Sequence, residues 1–375
     1  MESLTEQIPL ARPDLGERER DLLEEVLRSG RLSLGPMLDR FERLFADWLG
    51  VDDAVAVSSG TAGLHLAVRA RGWNDGDEVL TSPLSFVASA NCLLYERARP
   101  VFCDVEERTL NIDPAAVAAA VTERTAGILP VHIFGYPAAM PALQRVASDR
   151  DLTIVEDACE ALGAVDSEGR KVGARSHTAV FAFYANKQMT TGEGGMVIPP
   201  DVATAERLRS ERNQGRAADM GWLDHDRLGF NYRLSELAAA LGVGQTERLD
   251  ELLAGRARVA ELYAEHLAGI EGLGLPAAGE GQERRGWFVY VVGLPRQASR
   301  DGVIADLADQ GVASKAYLPC IHLMPHLREL GYREGQFPVA EAYAARSLAL
   351  PFFPAMEEAQ VARVAEALAA ALGQA

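Results

Sequence analysis

The sequence predicts an α/β fold, with a large domain built on a mostly parallel seven-stranded sheet and a smaller C-terminal α+β domain. Three observations predict it. Between about residues 50 and 200, short apolar runs rich in Val and Ile alternate with helical patterns. Helix-rich sequence follows, and then, after one loose stretch, a final set of strand and helix patterns. Of the 375 residues, 48% are hydrophobic, enough to fill sizeable cores and to exclude a disordered chain.

The strand candidates are Ala54–Val57, Glu78–Leu80, Val101–Cys103, Gly127–Val131, Thr153–Val155, Ala179–Phe183 and Met196–Ile198. Each is bounded by turn residues or charges. Helical patterns at Ala62–Arg71, Phe86–Glu96, Pro114–Val121 and Met140–Asp149 separate most of them. Such alternation makes crossover connections, and these give a parallel sheet covered on both faces. Helices are predicted over Ala203–Glu211 and from Ser235, an N-cap candidate, to about Leu267. Past the loose stretch Leu273–Arg285, the pattern predicts a strand at Trp287–Val292 and a helix at Asp301–Gln310. A strand near Val312–Tyr317 and a terminal helix from about Glu357 complete it. The domain boundary is expected near residue 250, dividing the chain into 1–250 and 251–375.

The formal net charge of −17 repels phosphate backbones at long range and argues against nucleic acid as a partner. A phosphorylated small molecule remains admissible, because backbone amides bind phosphate locally. The four cysteines, Cys92, Cys103, Cys159 and Cys320, lack metal-ligand spacing and read as reduced thiols of a cytoplasmic protein. Residues 1–7 lack the basic and apolar regions of a signal peptide, and no apolar run is long enough to span a bilayer.

Lys187 lies in Phe181-Ala-Phe-Tyr-Ala-Asn-Lys-Gln-Met-Thr-Thr-Gly-Glu-Gly-Gly195, between an apolar strand pattern and a glycine-rich turn. A solvated surface lysine is out of place there, and a desolvated amine is available as a nucleophile. Asp157 ends another apolar run, at the strand edge where open α/β sheets bind ligands. An amine facing a buried carboxylate across a flat cofactor is the arrangement of a pyridoxal phosphate enzyme. Asp157 also reads as a plain helix N-cap. Val57-Ser-Ser-Gly-Thr-Ala62 reads either as an anion site at a helix start or as an ordinary strand-to-helix turn. Phe86 reads as a ring-stacking aromatic or as core. His322 and His326 stand four apart, but Pro325 between them spoils a helical metal site and no third ligand is evident, so no metal is expected.

These segments together resemble the DegT/DnrJ/EryC1/StrS family of sugar aminotransferases over nearly the whole chain. The resemblance is carried by Ser29-Gly-Arg-Leu-Ser-Leu-Gly-Pro36, Ser59-Gly-Thr61, Phe102-Cys-Asp-Val105, Leu110-Asn-Ile-Asp-Pro114, Pro130-Val-His-Ile-Phe-Gly135 and Glu156-Asp-Ala158. It continues through Asn186-Lys187, Thr191-Gly-Glu-Gly-Gly195, Asn231-Tyr-Arg-Leu-Ser-Glu236 and Ser347-Leu-Ala-Leu-Pro351. It implies the aspartate-aminotransferase fold (fold type I) and a homodimer with shared active sites. It further implies pyridoxal 5'-phosphate as cofactor, with pyridoxamine 5'-phosphate as its aminated form. By position, Lys187 matches the Schiff-base lysine, Asp157 the partner of the pyridinium nitrogen and Phe86 the stacking aromatic. Gly60 and Thr61 match the phosphate turn, Glu160 a position near the cofactor's phenolic oxygen, and Asn231 an asparagine reaching the neighbouring subunit's phosphate. Arg31, Tyr184, Arg233, Tyr317 and His322 lie in segments that contribute to the substrate region.

Two positions depart from the family's pattern. Ala182 stands where a serine usually contacts the phosphate, a loss on the order of 1–3 kcal/mol of cofactor affinity unless another donor replaces it. Glu160 stands where glutamine is common. The resemblance implies transfer of an amino group from L-glutamate to a nucleotide-linked keto-sugar. The segment around Lys187 looks more like members that aminate C4 of a 4-keto-6-deoxy sugar. The alternatives are a 3-keto sugar or a keto-cyclitol as acceptor, or a non-catalytic regulatory homologue. The strand-to-helix turns carry no G-x-G-x-x-G fingerprint of a nicotinamide enzyme.

Overall fold

The computed structural model describes residues 7–175, 177–217 and 224–374. Apart from Gln7, the N-terminal stretch read for a signal lies outside the described residues. The chain opens with α1 (Glu17–Ser29) and α2 (Pro36–Leu49). It then alternates through β1 (Val55–Val57), α3 (Gly60–Arg71), β2 (Glu78–Thr81), α4 (Ala88–Tyr95), β3 (Arg99–Phe102), α5 (Pro114–Ala120), β4 (Thr125–Leu129), α6 (Met140–Asp149) and β5 (Thr153–Asp157). β6 (Thr178–Ala182) and β7 (Gly195–Ile198) follow, then α7 (Val202–Arg212), α8 (Glu236–Glu247) and α9 (Leu249–Leu267). The remainder is β8 (Tyr290–Gly293), α10 (Arg300–Asp309), β9 (Lys315–Ala316), the short α11 (Pro325–Arg328), α12 (Pro338–Ala344), β10 (Ser347–Leu350) and α13 (Glu358–Ala371).

The seven-stranded sheet has the order β1-β7-β6-β5-β4-β2-β3. β7 runs against both of its neighbours, and every other adjacent pair is parallel. Both faces of the sheet are buried, as crossover helices require. Val55, Val57, Val180 and Val197 face one core, while Ala54, Ala56, Ala179, Phe181, Met196 and Ile198 face another. This period-2 division explains why the strands read as continuous apolar runs. The three-stranded sheet, β8-β10-β9, is antiparallel. Its strands β8 and β10 are buried on both faces, while β9 is exposed: Val291 and Ala349 join the large sheet's core, and Tyr290, Val292, Leu348 and Leu350 pack with α9, α10 and α13.

All seven predicted strands of the large sheet form, with ends shifted by at most two residues. The predicted run from Ser235 to Leu267 is two helices, broken at Arg248 (φ −121°, ψ 20°). Ser235 does cap the first, accepting the Ala238 N–H at 3.2 Å. The strand expected near Val312–Tyr317 is only Lys315–Ala316. Helices α1 and α2 and the central strand β10 were not anticipated.

Several of the quoted motifs are structural ties. Asn111 accepts the Ile133 N–H and donates to the Tyr136 and Pro137 carbonyls, fixing the loop after β4. Asp104 accepts the Val339 and Ala340 N–H groups, both at 3.0 Å, at the start of α12. Glu236 accepts the Met37 and Leu38 N–H groups at the start of α2. In each case a carboxylate or amide serves backbone groups that would otherwise be buried without partners.

Candidate active site

The C-terminal ends of β1, β2, β4, β5 and β6 and the segments leaving them border one cleft of about 480 Å³. It is the edge at which open α/β sheets take ligands. Ser59 caps α3, its hydroxyl accepting the Ala62 N–H at 3.1 Å. A helix start leaves its first amides without in-helix acceptors, so Gly60 and Thr61, both lining the cleft, offer N–H groups to an anion. Gly60 has no room for a side chain: a Cβ there would meet Ala182 Cβ at 2.6 Å. The glycine-rich turn after Lys187 serves the same approach, since a Cβ on Gly195 would lie 2.7 Å from the Ser59 carbonyl oxygen.

Asp157, at the end of β5, is only 4% exposed yet lines the cleft. Its Oδ1 accepts the Cys159 N–H at 3.1 Å and its Oδ2 the Ser89 hydroxyl at 2.6 Å. Phe86 is 59% exposed and stands in the cleft wall, so its core reading is set aside.

Lys187 sits in the β6–β7 connection, its side chain 13% exposed. Its Nζ lies 3.8 Å from the Phe288 ring centroid and 3.8 Å from Glu160 Oε1. The surroundings are tied down from outside the segment. Arg256, fully buried, donates to the carbonyls of Lys187 and Phe288, both at 3.0 Å. Burial without a carboxylate partner pulls its guanidinium down to about 10. Gln188 donates to the carbonyls of Glu160 and Gly286.

Glu160 is buried, and its Oε2 accepts the Phe134 N–H at 2.9 Å. Phe134 takes a left-handed backbone (φ 52°), and Arg285 holds its carbonyl at 2.9 Å. Burial pushes the Glu160 carboxyl up from its ordinary value, while Lys187 and the Phe134 N–H oppose that rise. Burial likewise pushes up the Tyr317 phenol, which lines the cleft together with Tyr184.

The remaining sequence candidates lie elsewhere. Asn231 is exposed and outside the walls of this cleft. Arg31 is exposed and donates to the Leu34 carbonyl, and Arg233 donates to Asn213 and Gln214. His322 corrects an expectation: it is fully buried, packed against the Phe337 ring and bonded to Glu341 at 3.2 Å, so it does not line the cleft. Among the described residues, no group of three or more His, Cys, Asp or Glu is placed to hold a metal ion, and no helix is long and apolar enough to cross a membrane. Sequence reasoning missed Ser85, Ser89 and Phe288. Ser89 follows Phe86 by one helical turn, a signal available in the sequence; Phe288 had none, being distant along the chain.

These residues fit a flat, phosphorylated, carbonyl-bearing cofactor. Asn186 Oδ1 is buried, borders the cleft and has no hydrogen-bond partner, as a site built for a polar ligand would leave it. The glycine cradle, the carboxylate and the amine match phosphate, ring nitrogen and carbonyl in turn.

Comparison with known proteins points the same way. Residues 13–369 match the family model of the DegT/DnrJ/EryC1/StrS aminotransferase family. The chain is 38% identical to GDP-perosamine synthase of Caulobacter vibrioides, with 96% of this chain and 97% of that protein covered. It is 36% identical to the spore coat polysaccharide biosynthesis protein SpsC of Bacillus subtilis, covering 96% of each. The crystal structure of DesV from S. venezuelae superposes with a TM-score of 0.91 at 36% identity, covering 97% of this chain and 98% of that one.

Proposed function

From the premise that the chain belongs to the DegT/DnrJ/EryC1/StrS aminotransferase family, we propose that it moves an amino group from L-glutamate to a nucleotide-linked 4-keto-6-deoxy sugar, giving a 4-amino sugar. The family and its close structural neighbours are pyridoxal phosphate-dependent sugar aminotransferases. The observation that carries the reading is the convergence of Lys187, Asp157, Phe86 and the start of α3 on one cleft. The C4 assignment is supported by the segment around Lys187 and by the relatives named GDP-perosamine synthase, from Caulobacter vibrioides and Vibrio cholerae.

When bound, pyridoxal phosphate supplies the electron sink that loosens the donor's α-proton, and it carries the amino group between the two substrates. The chain's residues do the rest. Lys187 Nζ would hold the cofactor through its carbonyl carbon, and as a free amine would take the proton from the donor's α-carbon as general base and deliver it, as general acid, to that carbonyl carbon. The Phe288 ring, with its centroid 3.8 Å from Nζ, packs against the amine and holds it in place. Asp157 holds a proton on the ring nitrogen. Phe86 covers one ring face and keeps water off it, and the Gly60 and Thr61 amides hold the phosphate. Glu160 borders the phenolic side. Asn231 reaches the phosphate of a second copy's site, in a homodimer. Tyr184 and Tyr317 contact the acceptor, and Arg31 and Arg233 supply positive charge for its diphosphate.

Two measurements test this. The purified protein with pyridoxal phosphate shows the visible absorption of the lysine-bound cofactor, and Lys187→Ala abolishes both that band and amino transfer. A screen of nucleotide keto-sugars with glutamate, read by NMR, gives a product aminated at C4. Amination at C3, or turnover only of keto-cyclitols, would replace the substrate assignment.

A further inference from the structure

We propose that Ser85 and Ser89 form a one-way hydrogen-bond relay that holds Asp157 in place, with Ser89 as the positioning residue of that carboxylate. The inference rests on the role given above to Asp157. Both serines are 1% exposed and both border the cleft. Ser89 Oγ lies 2.6 Å from Asp157 Oδ2, and Ser85 Oγ lies 2.7 Å from Ser89 Oγ.

The direction follows from counting protons. A hydroxyl has one hydrogen, and a carboxylate only accepts. Ser89 therefore spends its proton on Asp157, and the proton between the serines belongs to Ser85. The relay runs Ser85 to Ser89 to Asp157. The other oxygen, Oδ1, is held by the Cys159 N–H. With a donor on each oxygen the carboxylate cannot rotate, and its remaining lone pairs stay directed at the cleft. A charge-assisted bond of this kind is among the stronger ones a protein makes.

Local structure reinforces the arrangement. Ser89 lies in the first turn of α4, and its N–H donates to the Phe86 carbonyl at 3.2 Å. One turn thus aims both Phe86 and the hydroxyl that orients Asp157. A shift of α4 would move the stacking surface and the carboxylate's support together.

The test uses the full-length protein with Ser89→Ala, Ser89→Thr, Ser85→Ala and Asp157→Asn. Apoprotein is titrated with pyridoxal phosphate by fluorescence, and the half-reaction with L-glutamate is timed in the loaded enzyme. Ser89→Ala is expected to weaken cofactor binding about tenfold, the effect of one lost hydrogen bond to a charged group. It slows the maximal half-reaction rate about tenfold, with the half-saturating glutamate concentration unchanged. Ser89→Thr, which keeps the hydroxyl, stays within about threefold of wild type, and Ser85→Ala weakens binding about threefold. A purely packing role would instead lower stability without splitting rate from donor saturation. The relay is overturned if Ser89→Ala binds and reacts as wild type while Asp157→Asn is impaired, or if Ser89→Thr is as impaired as Ser89→Ala. A wild-type Asp157→Asn would remove the role of Asp157 itself, and the relay with it. Should Ser89→Ala not fold, Ser85→Ala decides: wild-type affinity there overturns the relay, and a loss supports it.

Discussion

Ala182 and Glu160 are the two side chains by which this cleft departs from its family's pattern, and they act differently. Ala182 faces Gly60 at the start of α3, where a Cβ on Gly60 would meet it at 2.6 Å, so a missing hydroxyl there leaves the chain's own share of the phosphate to backbone amides. Glu160 puts a buried carboxyl 3.8 Å from Lys187 Nζ. Its folded-state value is raised, chiefly by burial. Above its ordinary range the unfolded chain therefore releases this proton before the folded chain does, and folding stability falls as pH rises through the folded value. Glu160→Gln removes that loss. The expected outcome is an apoprotein that melts higher than wild type at neutral pH, with the difference shrinking as pH falls toward 4.5, the ordinary glutamate value. Thermal melts of both proteins across that range check it, and a difference that grows on acidification would refute it.

At the scale of elements, the family motifs turn out to join pieces of chain more often than they touch the cleft. The start of α2 is the sharpest case. Gly35 occupies its N-cap and offers no side chain, and a Cβ there would meet Glu236 Oε2 at 2.5 Å. Glu236, from α8, takes over the capping with two hydrogen bonds, to Met37 N at 2.9 Å and Leu38 N at 3.0 Å. Glu236→Ala leaves two buried amides unpaired and should cost about 2–4 kcal/mol in urea unfolding. The substitution also opens the space that forbids a side chain at Gly35. Adding Gly35→Ser should then restore about 1 kcal/mol, the usual worth of a serine cap. No recovery in the double variant would show that Glu236 acts by packing instead.

At the scale of the molecule, the two sheets share a core: Val291 and Ala349 of the small sheet pack into the cluster that covers the large one. The proposed division between residues 250 and 251 falls in the first turn of α9, just past the break at Arg248. Within a single chain the cleft has its amine, its carboxylate and its helix start, while Asn231 stands outside it. If Asn231 serves a second copy, the defects of Lys187→Ala and Asn231→Ala complement each other. Each chain alone is expected to be inactive or severely impaired. Mixed dimers of the two carry one site with Lys187 and Asn231 both intact. Co-expression with two tags, followed by tandem purification, should recover activity approaching half that of wild type per dimer. Absence of recovery in verified mixed dimers would refute the shared site.

The fold and the centre of the site were legible in the sequence because both rest on local patterns. Periodicity marked the seven strands, and Lys187 and Asp157 stood out through the apolar and glycine-rich residues beside them. Ser235 announced its helix by chemistry that acts within one turn. What the sequence could not determine depends on residues that meet only through folding. The Phe288 ring reaches Lys187 from the distant segment that leads into β8, Glu236 caps a helix some two hundred residues upstream, and Arg256 secures Lys187 by its carbonyl. His322 looked like a substrate contact because its segment borders the region, yet packing against Phe337 and Glu341 buried it. Sequence alone thus determined which chemistry the chain carries, since that is set by residue type and immediate neighbours. Tertiary structure alone decided which side chains orient it, because burial and hydrogen-bond geometry belong to the assembled fold.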